Sequence, residues 1–98
     1  MTDQEINRKL AQAIGYKRRV VWHRDWRCVS VLFDGRWEKF DFMDWRVAGP
    51  VAQRYDCFPH LIDSEWFARC CDWLRISDTP QKAIALAVIA AWEAGVLE

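Results

Sequence analysis

No hydrophobic run in this chain reaches membrane length: the longest, Ala83 to Trp92, covers about ten residues against the roughly 20 that a bilayer span requires. Met1 to Ile14 is charged and lacks the apolar core of a secretion signal, so a cytoplasmic protein is expected. Net charge is missing as well, because 14 Lys and Arg face 14 Asp and Glu, which counts against a dedicated duplex-DNA binder. There are only four glycines, and none forms a phosphate loop or a dinucleotide fingerprint. Paired Cys/His knuckles are absent too. Cys57-Phe58-Pro59-His60 offers one thiol and one imidazole, with only His23, Cys28 and the adjacent Cys70 and Cys71 as completions, a poor ligand set for zinc. Neither Cys57 with His60 nor Cys28 with His23 has a Gly-rich oxyanion turn beside it, and the carboxylates are scattered. The expectation is a chain with no catalytic residues, no metal and no cofactor. Lacking an export signal, its four cysteines are expected to be reduced and partly buried.

What is present is hydrophobic and rich in indole. With 98 residues, 52% hydrophobic and 29% charged, the chain suits a single domain over residues 1–98. Seven tryptophans are more than a core of this size can centre, and Trp is also the residue most enriched at binding hot spots. The charge balance conceals a gradient: residues 1–49 carry ten Lys or Arg against seven acids, and residues 50–98 carry four against seven.

Thr2-Asp3-Gln4-Glu5 has the form of a capping box, and Ile6, Leu10, Ala13 and Ile14 follow at helical spacing, so a helix is predicted over about residues 3–14 and closed by Gly15. From Arg19 the period changes to two, giving strands through Val20 to His23 and Cys28 to Phe33. Asp34-Gly35 is a strong hairpin signal, with Arg36 to Phe42 as the returning strand. A two-residue turn there pairs Phe33 with Arg36 and Val31 with Glu38, placing a carboxylate on an apolar face; a bulge or longer loop is the alternative. Asp44 caps a middle helix carrying Val47, Ala48, Val51 and Tyr55, in which Pro50 implies either a kink or a start one turn later. Residues 56–63 read as a loop or short extended piece, and Ser64 to Ile76 suits helix and strand equally. Thr79-Pro80 then opens a final helix through Ala83, Ile84, Ala87, Val88, Ala91 and Trp92, apolar nearly all round and therefore contacted on more than one side. The fold class is α+β: a small antiparallel sheet of three to four strands, centred on the Asp34-Gly35 hairpin, packed with N-terminal, middle and C-terminal helices.

Tyr16 to Arg27 interleaves five basic residues and three aromatics with a single acid, the composition of a single-strand binding surface. Lys17, Arg18 and Arg19 are its candidate nucleic-acid contacts. The alternative is a solvated basic hairpin whose Trp22 and Trp26 face the core. Candidate partner-binding residues are Trp22, Arg24, Trp26, Arg27, Trp37, Trp45, Arg46, Trp66 and Trp73, since Trp and Arg sharing an exposed patch compose a hot spot. Trp92 is expected in the core.

The opening Glu5-Ile6-Asn7-Arg8-Lys9 with Ala13-Ile14-Gly15-Tyr16, the central Asp34-Gly35-Arg36-Trp37, Phe40-Asp41-Phe42 and Ala48-Gly49-Pro50-Val51, and the closing Thr79-Pro80 with Ala83, Ile84 and Ala87 span nearly the whole chain. In this order they resemble the NinX-like proteins of lambdoid phages and the wider set of small phage proteins described as a phage ABA sandwich domain. The surplus tryptophans and the basic segment depart from that pattern. The resemblance implies a viral origin, a sheet covered by helices, and a strand from Trp66 onward; it carries no activity. The expected function is that of a phage or prophage accessory protein in the host bacterial cytoplasm. It would bind a host protein, to inhibit a defence system or another cellular machine, without catalysis and without a membrane. The alternative is a single-stranded nucleic-acid or nucleoprotein-binding module, and a homodimer is a third possibility.

Overall fold

In the computed structural model, which describes residues 1–97, the first helix, α1 (Asp3–Ala13), starts where its cap dictates. Thr2 Oγ1 accepts from the Glu5 amide at 3.2 Å and donates to the Glu5 carboxylate at 3.3 Å. One stripe of α1 is buried through Ile6, Leu10, Ala11 and Ala13, joined by the polar Asn7. Asn7 is only 3% exposed because its Oδ1 accepts from the Phe42 amide at 2.8 Å, tying α1 to the segment beyond the first sheet.

That sheet, sheet A, is formed by β1 (Val20–His23), β2 (Cys28–Phe33) and β3 (Arg36–Lys39), antiparallel in that order. Asp34 and Gly35 both have positive φ, 52° and 77°, as a two-residue hairpin turn requires. Register is therefore the simple one, Phe33 opposite Arg36 and Val31 opposite Glu38, with no bulge. The carboxylate is tolerated because β3 is an edge strand, exposed along its whole length. After it, α2 (Trp45–Tyr55) begins directly behind Asp44, whose side chain accepts from the Arg46 amide. Of the two starts allowed for this helix, the earlier one occurs, and Pro50 sits inside it. Having no N–H, Pro50 deprives the Arg46 carbonyl of its usual intrahelical donor.

The remaining strands form a second sheet instead of widening the first. Sheet B consists of β4 (His60–Ile62), β5 (Glu65–Cys70) and β6 (Trp73–Ser77), again antiparallel and in sequence order. Ser64 to Ile76, whose sequence suits helix and strand equally, is thus two strands joined by a turn at Cys71 and Asp72. The α+β class and the three helices stand, but the expected single sheet is two sheets of three strands. The physical reason is α3 (Pro80–Glu93), which is apolar around its whole circumference and needs two covers. Sheet B covers one side, and α1 and α2 cover the other, while sheet A lies against α1. The layer order is sheet A, α1, α3, sheet B, with helices inside and sheets outside, the reverse of a sheet covered by helices. Ile84, Val88 and Ile89 of α3 are at most 1% exposed, and burying each such side chain contributes about 1.5–3 kcal/mol.

Candidate functional site

Strand register sorts the side chains of sheet A into two faces. Val20, Trp22, Val29 and Val31 share the inner face, toward α1. Val21, His23, Cys28, Ser30, Leu32, Trp37 and Lys39 share the outer face, against which no other helix or strand packs extensively among the described residues. At its centre Ser30 is fully buried, with Val21 and Lys39 as cross-strand neighbours, so larger side chains close over it. Those side chains are themselves open to solvent: Val21 and Trp37 are each 40% exposed. Beyond β1 the turn carries Arg24 and Arg27, the latter held at φ 52°, and Trp26 folds back to stack on His23 with ring centroids 3.8 Å apart. His23 Nδ1 accepts from the Trp26 amide at 3.1 Å, which fixes this stack from the backbone. No strand residue on the outer face is acidic, and Lys39, Arg24 and Arg27 make no ion pair among the described residues. The result is an apolar, aromatic surface with a cationic rim.

The other candidate residues fall elsewhere. Trp22 is exposed but belongs to the inner face, beside Glu5 and Arg8 of α1, and Trp45 is exposed at the start of α2. Trp66 and Trp73 are half-buried against the core on the inner face of sheet B, packed like Trp92, so their placement makes them scaffold rather than anchors. Arg46 is already engaged: it meets the Asp44 carboxylate at 2.7 Å. That hydrogen bond lowers the Asp44 pKa and raises that of Arg46. Lys17 and Arg18 lie near Trp92 and Gly15, whereas Arg24 and Arg27 lie at the opposite end of β1, about 13 Å away for a four-residue strand. Arg19 is drawn over the Tyr16 ring, 5.7 Å from its centroid. The basic segment is therefore divided among three places instead of forming one track.

A groove of about 610 Å³ opens between sheet A and α2, floored by Tyr16, Phe33, Phe40 and Val47 and rimmed by Glu38 and Arg46. Among the described residues no three His, Cys, Asp or Glu side chains are grouped to hold a metal ion. All four cysteines are free. Burial pushes the Cys57 thiol up to about 12 and, with help from Cys71, that of Cys70 to about 11, so both are protonated and weakly nucleophilic near neutrality. No helix among the described residues is long and apolar enough to cross a membrane.

Val21, Leu32 and Lys39 belong to the outer face but not to the residues singled out from sequence. The alternation of β1 and β2 contained the signal, since it assigns Val21 and Leu32 to one side. Its weakness was that both sides of β2 read as apolar, so nothing indicated which one helices would cover. No family model, curated protein or solved structure matches the chain.

Proposed function

We propose that this chain is a small phage or prophage accessory protein that works without catalysis, by binding a host protein in the bacterial cytoplasm through the outer face of sheet A. One observation carries the reading: Val21, Trp37 and the Trp26–His23 stack lie exposed on an uncovered face with Lys39, Arg24 and Arg27 around it. Rigid aromatic anchors inside a charged rim are the pattern of a protein hot spot, and this rim selects an acidic partner surface. Inhibition of a host defence system or another machine follows if the covered surface is one the host protein needs. Capture from host lysate tests this. The native chain is expected to retain a defined protein that Trp37→Ala and Val21→Asp both lose, while a substitution in sheet B leaves capture intact. Equal capture by all three sinks the reading.

A second reading, single-stranded nucleic acid, draws on the Trp26–His23 stack between Arg24 and Arg27, a stacking platform with phosphate contacts. The division of the basic segment weighs against it, because Trp22 faces inward while the Trp26–His23 stack belongs to the outer face. Affinity for a single strand that falls steeply with salt, and that is lost in Trp26→Ala, would favour it over protein binding.

A further inference from the structure

Sheet B also has an uncovered face. Its inner side carries Trp66, Ala68, Cys70 and Trp73 against α3. Register puts His60, Ile62, Glu65, Phe67, Arg69, Leu74 and Ile76 on the other side. Ile62, Leu74 and Ile76 are 53%, 42% and 49% exposed. His60, Phe67 and Ile76 form a row straight across the three strands. On β5, Glu65 stands on one side of that row and Arg69 on the other, each about 7 Å from Phe67 along the strand. Neither makes an ion pair among the described residues.

We infer that the chain pairs with a second copy of itself through this face, about a twofold axis running along the His60–Phe67–Ile76 row. A face-to-face twofold contact requires an axis lying in the interface, and only two simple directions exist. An axis along β5 sets Glu65 on Glu65 and Arg69 on Arg69, which is repulsive. An axis across the strands sets Glu65 of each copy on Arg69 of the other, twice, and stacks His60 on His60, Phe67 on Phe67 and Ile76 on Ile76. The charged pair thus selects one arrangement, and Phe67 and Ile76 supply its apolar centre. The footprint is small, three strands of about five residues or roughly 14 by 17 Å, well under the ~800 Å² per partner of a standard interface. Association is therefore weak and concentration-dependent. This inference uses residues on the opposite side of the molecule from the proposed host-binding face and stands or falls separately from it.

Sedimentation equilibrium of the whole chain from about 1 to about 500 µM spans the range expected of so small an interface. Its mass is expected to rise from one chain toward two. Glu65→Arg and Arg69→Glu, each placing like charges opposite one another, are each expected to weaken the dimer at least about tenfold. An equimolar mixture of the two variants is expected to recover it, because every Arg then meets a Glu. Recovery also shows that neither variant failed to fold, and far-UV circular dichroism checks each alone. A native chain that stays monomeric throughout overturns the inference. So does a dimer indifferent to Ile76→Asp, or a mixture that associates no better than its components.

Discussion

Sheets A and B have the same architecture, three antiparallel strands with one face on helices and one face bare, yet their bare faces carry different charge arrangements. Sheet A offers apolar and aromatic side chains with Lys39 but no acid on the strands of its outer face, so that face does not complement itself across two copies. Sheet B offers aliphatic side chains with Glu65 and Arg69 on either side of Phe67, an arrangement that complements itself. Apolar exposure is found on both and does not distinguish them. The placement of the charges separates a face suited to a foreign acidic surface from one suited to its own copy.

The inner and outer tryptophans should behave as differently as their settings. Trp73, packed under sheet B against the core, is expected to cost about 2–4 kcal/mol on replacement by alanine, read from urea unfolding, because truncation leaves a cavity beside α3. Trp37→Ala on the outer face of sheet A should cost less than about 1 kcal/mol and act on binding instead. Similar losses at both positions would mean that the outer face is structural and would remove its claim to be a docking surface.

Alkaline conditions should act first at the join between α2 and sheet B. The Cys57 and Cys70 thiols titrate near 12 and 11 in the folded chain, against an ordinary value of 9.0. The folded state thus holds these protons more tightly than the unfolded state. Their contribution to stability is complete below pH 9 and declines as pH rises from 9 through 11–12. Midpoints of thermal unfolding measured at steps above pH 9 should fall, and Cys57→Ala and Cys70→Ala should each flatten the decline. A profile unchanged by both substitutions would place the alkaline weakness elsewhere.

Sheet A depends on a polar tie as well as packing. Asn7→Ala removes the acceptor of the buried Phe42 amide and is expected to cost about 1–3 kcal/mol, since that N–H has no other partner. Amide exchange should then rise at Phe42 while β5 stays protected. Uniform acceleration would show that the two ends of the molecule do not open independently.

The same contrast explains which parts of the chain could be read in advance. The three helices declared themselves through Thr2, Asp44 and Thr79, short polar caps whose positions fix the first turns. The β2–β3 hairpin was equally plain, because Asp34-Gly35 is the usual solution for two successive positive φ angles. Sheet B carried no such mark. Its first turn uses Asp63 and Ser64, both at positive φ (50° and 68°), and its second uses Cys71 at 55°, all without glycine. Without glycine the turn signal is weak, so Ser64 to Ile76 matched either periodicity. The docking faces were half legible: composition pointed to the tryptophans, but only register separates Trp37 from Trp22, or Trp73 from solvent.

Those turns also provide the finest test of the difference between the sheets. Ser64 holds a left-handed conformation that disfavours a Cβ by about 1 kcal/mol, so Ser64→Gly is expected to stabilise the chain, by up to about 0.5 kcal/mol once the added freedom of the unfolded glycine is deducted. Gly35→Ala imposes the opposite change on sheet A and should cost about 1 kcal/mol, although its Cβ would meet nothing within 4 Å. The open space matters here, because it leaves φ as the sole source of the penalty. If both substitutions destabilise, Ser64 contributes a contact beyond its backbone angle. If the signs are opposite, Ser64 is strained where Gly35 is relaxed. Ser64 immediately precedes Glu65, so a strain released there would lie beside the face inferred to meet a second copy.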